Sequence, residues 1–330
     1  MRPTPWTYGL GALVLAALGV MYLRAFVVGA STLPMLLVLL VGIPFAVGAV
    51  HALRTSLPLP ALRPVEIVAA TAATVASLGM AREMGIPPLV AAAVVAVVAG
   101  VAALDGGPLD DVAAGAAYSG AFVGLLAPSV TVGWYWVVLA GVLAGVLWSL
   151  IGPAVFQGVG GRMGVVAFMA TAAVYWLADL LGADHEYVLL PEGGLAHWSV
   201  VPIGAAGAII TWMLMTRLGW TFNLASGLPA LAVCGVLAMA GPEGLEVVLA
   251  TAFFGGTFVG GSSVQRMPTA AWLGASGLLY GAFMLHFEGP LSGHVGVIGA
   301  TGTTAALAVV GLRWALLRPA PRLPRQPRVP

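Results

Sequence analysis

Apolar runs of about 20 residues recur along this 330-residue chain, each bounded by Pro, Gly or charge. That is the length a helix needs to cross the hydrocarbon core of a bilayer. With 60% hydrophobic and 8% charged residues, the chain has too little polar surface to cover a soluble domain. It predicts an all-α polytopic membrane protein with about 12 transmembrane helices. The expected spans are 6–23, 33–53, 65–81, 88–104, 112–127, 134–152, 163–182, 199–217, 222–240, 245–261, 268–287 and 295–317. The start reads as a retained first helix, because no small-residue cleavage site follows it in the expected place.

All 13 basic residues are Arg, and their placement sets an orientation. With the N-terminus in the cytoplasm, Arg2, Arg54, Arg63, Arg162, Arg217, Arg266 and the tail arginines Arg318, Arg322, Arg325 and Arg328 lie inside, while Arg24 and Arg82 fall outside. Acidic residues mostly take the other side; Asp105, Asp110 and Asp111 run against that trend. The expectation is a multi-pass protein of the inner or plasma membrane with both termini cytoplasmic. Trp and Tyr near span ends, such as Trp134, Tyr135, Trp136 and Trp198, form the usual interfacial belt. A single cysteine, Cys234, leaves no internal disulfide or paired-cysteine metal site.

Two stretches of the chain copy each other. Residues 116–124 (AAYSGAFVG) resemble 252–260 (AFFGGTFVG), and 161–173 (GRMGVVAFMATAA) resemble 293–305 (GHVGVIGATGTTA). The blocks keep their order and lie in the fifth and tenth spans, then in the seventh and twelfth. Five spans separate equivalents, so the copies would cross the membrane in opposite senses. Inverted repeats of this kind are the architecture of many transporters and some channels. The expected organisation is two N-terminal helices (1–64), a first five-helix repeat (65–182), an extracytoplasmic linker (183–198), an inverted second repeat (199–317) and a disordered basic tail (318–330). The alternative is an irregular bundle whose Gly-rich helices merely look alike.

Glycines crowd the fifth and tenth spans. Gly115, Ser119, Gly120 and Gly124 match Gly255, Gly256, Thr257, Gly260, Gly261, Ser262 and Ser263. Glycine weakens a helix and frees backbone groups, which a membrane tolerates only where a neighbour or polar cavity satisfies them. Such segments are candidate broken helices. Close helix packing is the competing explanation, since small residues at four-residue spacing let backbones approach. The candidate binding residues are Ser119, Gly120, Gly255, Gly256, Thr257, Ser262, Ser263, Thr301, Thr303 and Thr304. They would line a neutral, oxygen-rich site at the crossing of the fifth, tenth and last spans.

No Asp, Glu or Arg falls clearly in mid-membrane, with Glu66 and Asp179 near span ends. That argues against a carboxylate-driven proton pump and an Arg-clamped substrate. A small neutral solute fits better, as does a small ion held by hydroxyls and carbonyls, sodium being the obvious hard cation. The leading expectation is thus a membrane transporter or channel, with lipid and a small solute or ion as its partners, no nucleic acid, and room for a homo-oligomer or larger complex. Two alternatives stand beside it. One is a structural or assembly subunit of a larger membrane complex. The other is a metal-dependent membrane enzyme built on the outer-side His185, His197, His286 and His294, which lack the spacing of a metal motif. No catalytic residue or bound cofactor is expected.

Overall fold

The computed structural model describes residues 3–28, 32–104, 107–125, 133–183, 198–241, 245–291 and 297–317, with side chains in all of these except 21–40, 286–291 and 297. The described residues form twelve helices and no strand: α1 (Pro5–Val28), α2 (Thr32–Arg54), α3 (Pro64–Arg82), α4 (Pro88–Ala102), α5 (Asp111–Gly124), α6 (Trp134–Ile151), α7 (Arg162–Leu180), α8 (Val200–Arg217), α9 (Phe222–Ala240), α10 (Glu246–Gly260), α11 (Ala270–Leu291) and α12 (Val297–Leu317). One helix occupies each expected span. Six of them, α3, α6, α7, α8, α9 and α12, are long and apolar enough to cross a membrane by length and composition. This is consistent with an α-helical membrane protein.

Local chemistry sets several of the helix starts. Pro64 and Pro88 open α3 and α4, where a missing N–H costs nothing. At α5 the Asp110 carboxylate accepts from the Ala113 amide at 2.8 Å, an N-cap that Arg63 reinforces from the α2–α3 connection. Those donors hold the Asp110 carboxyl below its ordinary range, the Ala113 amide contributing most.

Small residues then decide which helices touch. α3 packs against α5 and α6, and α8 packs against α10 and α11. Likewise α6 packs on α7 and α11 on α12, while α4 meets α5 and α9 meets α10. Farther apart in the chain, α4 packs on α9 and α7 on α12, α5 makes a smaller contact with α9, and α2 lies along α12. Gly100 abuts Leu224 while Gly227 abuts Ala96, so α4 and α9 run antiparallel. Gly164 abuts Gly299 while Gly161 abuts Thr303, so α7 and α12 do too.

α5 and α10 sit at the centre. Every residue over 113–124 and 250–260 is buried. At about 1.5 Å per residue these helices are only about 21 and 22 Å long, shorter than the ~30 Å hydrocarbon core. Over those buried stretches the neighbouring helices enclose them, while the first turns, at Asp111 and Val247, reach the surface.

Glu66, placed near a span end by sequence, is fully buried at the start of α3. Ser149 of α6 donates to its Oε2 at 2.5 Å. Arg63 Nη1 lies 3.1 Å from Oε1, close enough for an ion pair though not aligned for a hydrogen bond, and its other arm reaches Asp110. Ser149→Ala strips a buried carboxylate of its best donor and should cost about 1–3 kcal/mol. Combining it with Glu66→Leu removes the buried charge as well and should restore much of that loss. Thermal unfolding of both variants in detergent checks this; a double variant weaker than the single would show that the carboxylate itself stabilises.

Candidate functional site

Where α5, α9 and α10 converge, three buried hydroxyls form a chain. Tyr118 Oη lies 2.7 Å from Ser226 Oγ, which lies 2.6 Å from Thr257 Oγ1, and Thr257 donates to the Phe254 carbonyl at 2.6 Å. Since Thr257 has one hydrogen and spends it on Phe254, Ser226 must donate to Thr257 and Tyr118 to Ser226. All three side chains are fully buried. Beside them Asn223 donates to the Ala114 carbonyl at 2.7 Å, tying α9 to α5, and Trp148 donates to Val112 O at 2.7 Å, tying α6 to α5.

A cluster of rings fills the same junction. Phe122 and Phe258 meet edge to face at 4.7 Å between centroids, Tyr118 stacks on Phe258 at 5.5 Å, and Phe122 lies 5.2 Å from Phe254. Phe222 borders the cluster from the start of α9. Tyr118, Phe122, Phe254 and Phe258 are all shut off from solvent.

A second polar node lies beyond the C-terminal end of α10. The loop after α6 presses glycines against it: the Gly160 amide donates to Ser262 Oγ at 3.0 Å, Gly160 O accepts from Thr303 Oγ1 at 3.1 Å, and the Ser263 amide donates to Gly158 O at 2.9 Å. Gly158 and Gly161 take positive φ of 74° and 86° there, which an L side chain would resist. Phe156 in the same loop also has a positive φ of 52° and is held by burial.

The ten residues expected from sequence thus divide. Thr257 belongs to the hydroxyl chain, and Ser262, Ser263 and Thr303 to the second node. Thr301 and Thr304 are buried on α12, and among the described residues their hydroxyls have no partner. Ser119 turns back onto its own helix, donating to Gly115 O at 3.1 Å. Gly120 and Gly256 serve close packing, against the Ala70 and Gly204 backbones, and Gly255 seats the Tyr280 hydroxyl. α10 continues as helix through Gly255 and Gly256 and ends only at Gly260. Sequence reasoning missed Tyr118, Phe122, Ser226, Asn223 and Phe258. The signal was present for the rings, because the copied blocks repeat aromatics four residues apart (Tyr118 and Phe122, Phe254 and Phe258), placing them on one helix face.

No protein-family model, curated protein or solved structure matches this chain. Among the described residues no cluster of three His, Cys, Asp or Glu side chains could hold a metal ion. His185, His197 and His294, and the side chain of His286, lie outside the described residues.

Proposed function

We propose that this chain is a membrane transporter or channel for a small neutral solute or small ion, built from two inverted five-helix repeats, α3–α7 and α8–α12, with α1 and α2 added in front. The observation that carries this reading is a set of helix contacts that occurs twice. Gly120 abuts Ala70, Gly124 abuts Thr74 and Ser77, and Gly145 abuts Ile67; five helices on, Gly256 abuts Gly204, Gly260 abuts Ala208 and Thr211, and Gly281 abuts Val201. Chance resemblance between Gly-rich helices gives no reason for matching partners in matching order. The antiparallel meeting of α4 with α9 and of α7 with α12 supports a pseudo-twofold axis lying in the membrane plane.

That axis would pass through the rings, exchanging the Tyr118–Phe258 contact with Phe254–Phe122. In this reading the structure is an occluded state. The rings close the middle of the path, and the hydroxyl chain beside them offers the polar contacts for a solute or a sodium ion. One repeat would rock against the other to part the rings. Pro229, two residues after the buried Ala225–Gly227 stretch of α9, removes one helical hydrogen bond and gives that helix a compliant point. Twelve crossings of a cell inner membrane with both termini cytoplasmic complete the reading. The tight ring packing also favours a second one, a structural subunit whose centre never opens.

Solute uptake into proteoliposomes, with and without a sodium gradient, separates them. Thr257→Val and Ser226→Ala should cut uptake at least tenfold, whereas Gly235→Ala, which faces open space, should leave it unchanged. Uptake unaffected by both hydroxyl variants, or no uptake above empty vesicles, would leave the structural reading.

A further inference from the structure

One end of the bundle gathers arginines from four separate segments. Arg266, in the loop between α10 and α11, is at their centre: its Nε donates to Gln157 O at 3.0 Å, its Nη2 to Thr55 Oγ1, and its carbonyl accepts from Arg313 Nη1 at 3.4 Å. Arg162, at the start of α7, donates to Gly152 O and Val159 O, within electrostatic reach of Arg266. His51 near the end of α2 lies within reach of Arg54, Arg266 and Arg313, and its ring is 6.0 Å from Trp314.

These bonds run to carbonyls and a hydroxyl, so they stitch loops together without cancelling charge. No carboxylate among the described residues pairs with any of these arginines. Arg313 Nε is buried with no partner. Burial lowers the Arg266 guanidinium from its ordinary pKa, the sign of a charge short of solvent. Four guanidinium cations held together in this way repel one another, and an anion bound among them would offset that repulsion.

The geometry points to a binding site for a phosphate group at this end of the bundle, filled by the headgroup of an anionic phospholipid. Guanidinium forks match phosphate oxygens in pairs. Arg54, Arg313 and Trp314 stand at the ends of apolar helices, the depth at which headgroups lie. This inference is independent of transport.

Free phosphate shares the chemistry, so the test carries both. The full chain in neutral detergent is titrated with phosphatidylglycerol, phosphatidylcholine or inorganic phosphate, followed by tryptophan fluorescence and by native mass spectrometry. Phosphatidylglycerol should bind and phosphatidylcholine should not. Arg266→Gln and Arg313→Gln should each weaken binding about fivefold. Arg217→Gln, an exposed arginine at the C-terminal end of α8 with the same charge loss, should not. If Arg266→Gln fails to fold, Arg313→Gln decides alone. Equal weakening by Arg217→Gln, or none by either cluster variant, overturns the site. Inorganic phosphate binding as tightly as the lipid overturns the headgroup as its occupant.

Discussion

Phe258→Ala is expected to lower the unfolding free energy by about 3–5 kcal/mol, the largest single effect at the centre of this protein. The side chain is fully buried and packs against the rings of Phe122, Tyr118, Phe254 and Phe222. Truncation removes its own contacts and leaves a cavity walled by flat, stiff side chains that cannot collapse into it. Phe122→Ala should cost a similar amount, since it faces the same neighbours from the opposite helix. The double variant should lose less than the sum, by about 0.5–1.5 kcal/mol, because the edge-to-face pair at 4.7 Å is counted in both single losses. Urea unfolding in mixed micelles measures all three. A loss below 1 kcal/mol for both singles would mean that the junction is loosely filled. In proteoliposomes the same variants probe the gate: if the rings close a path, Phe258→Ala should raise passive solute leak and weaken its dependence on a sodium gradient.

Gly120→Ala and Gly256→Ala should each destabilise the protein by about 1–3 kcal/mol, for a different reason. A Cβ at either position would fall inside the contact distance of a backbone oxygen, on Ala70 or Gly204. Backbone of a neighbouring helix cannot swing aside as a flexible side chain can, so α3 must retreat from α5, or α8 from α10. Thr74 adds to the first of these seams: its one hydroxyl hydrogen is shared between Gly120 O across the seam and Ala70 O on its own helix, both at 2.9 Å. Gly235→Ala supplies the contrast: nothing lies within 4 Å of its Cβ position, so the substitution should be neutral or stabilise α9 by up to about 1 kcal/mol through helix propensity. Thermal melting of the three variants tests the pattern. If all three behaved alike, the glycines of α5 and α10 would be explained by propensity alone. If the two seam variants fell by equal amounts, the paired roles assigned to the two halves would gain an energetic counterpart.

How much of the centre could be read beforehand depends on the interaction. Glycine spacing in 116–124 and 252–260 drew attention to these two helices, and the packing explanation of those glycines describes Gly120, Gly256 and Gly260 better than the broken-helix one. Thr257 was legible as a buried polar residue, but its partners were not. Ser226 lies 31 positions away and Tyr118 lies 108 positions from Ser226, and no local pattern ties them together. Thr301 and Thr304 looked like ligands because hydroxyls in an apolar helix are conspicuous; on α12 they are buried without contributing to the chain at Tyr118. Glu66 looked like a span-end charge, and only the approach of Ser149 from α6 shows how its burial is sustained.

The sequence by itself determined that the chain is helical and apolar, and where its twelve helices fall, because hydropathy, proline and glycine act within a single turn or span. The tertiary structure alone decided what those helices present to one another at the centre. Side-chain rings and hydroxyls from remote segments compete for the same enclosed volume there. The winner depends on helix crossing and rotation, which are properties of the packed whole.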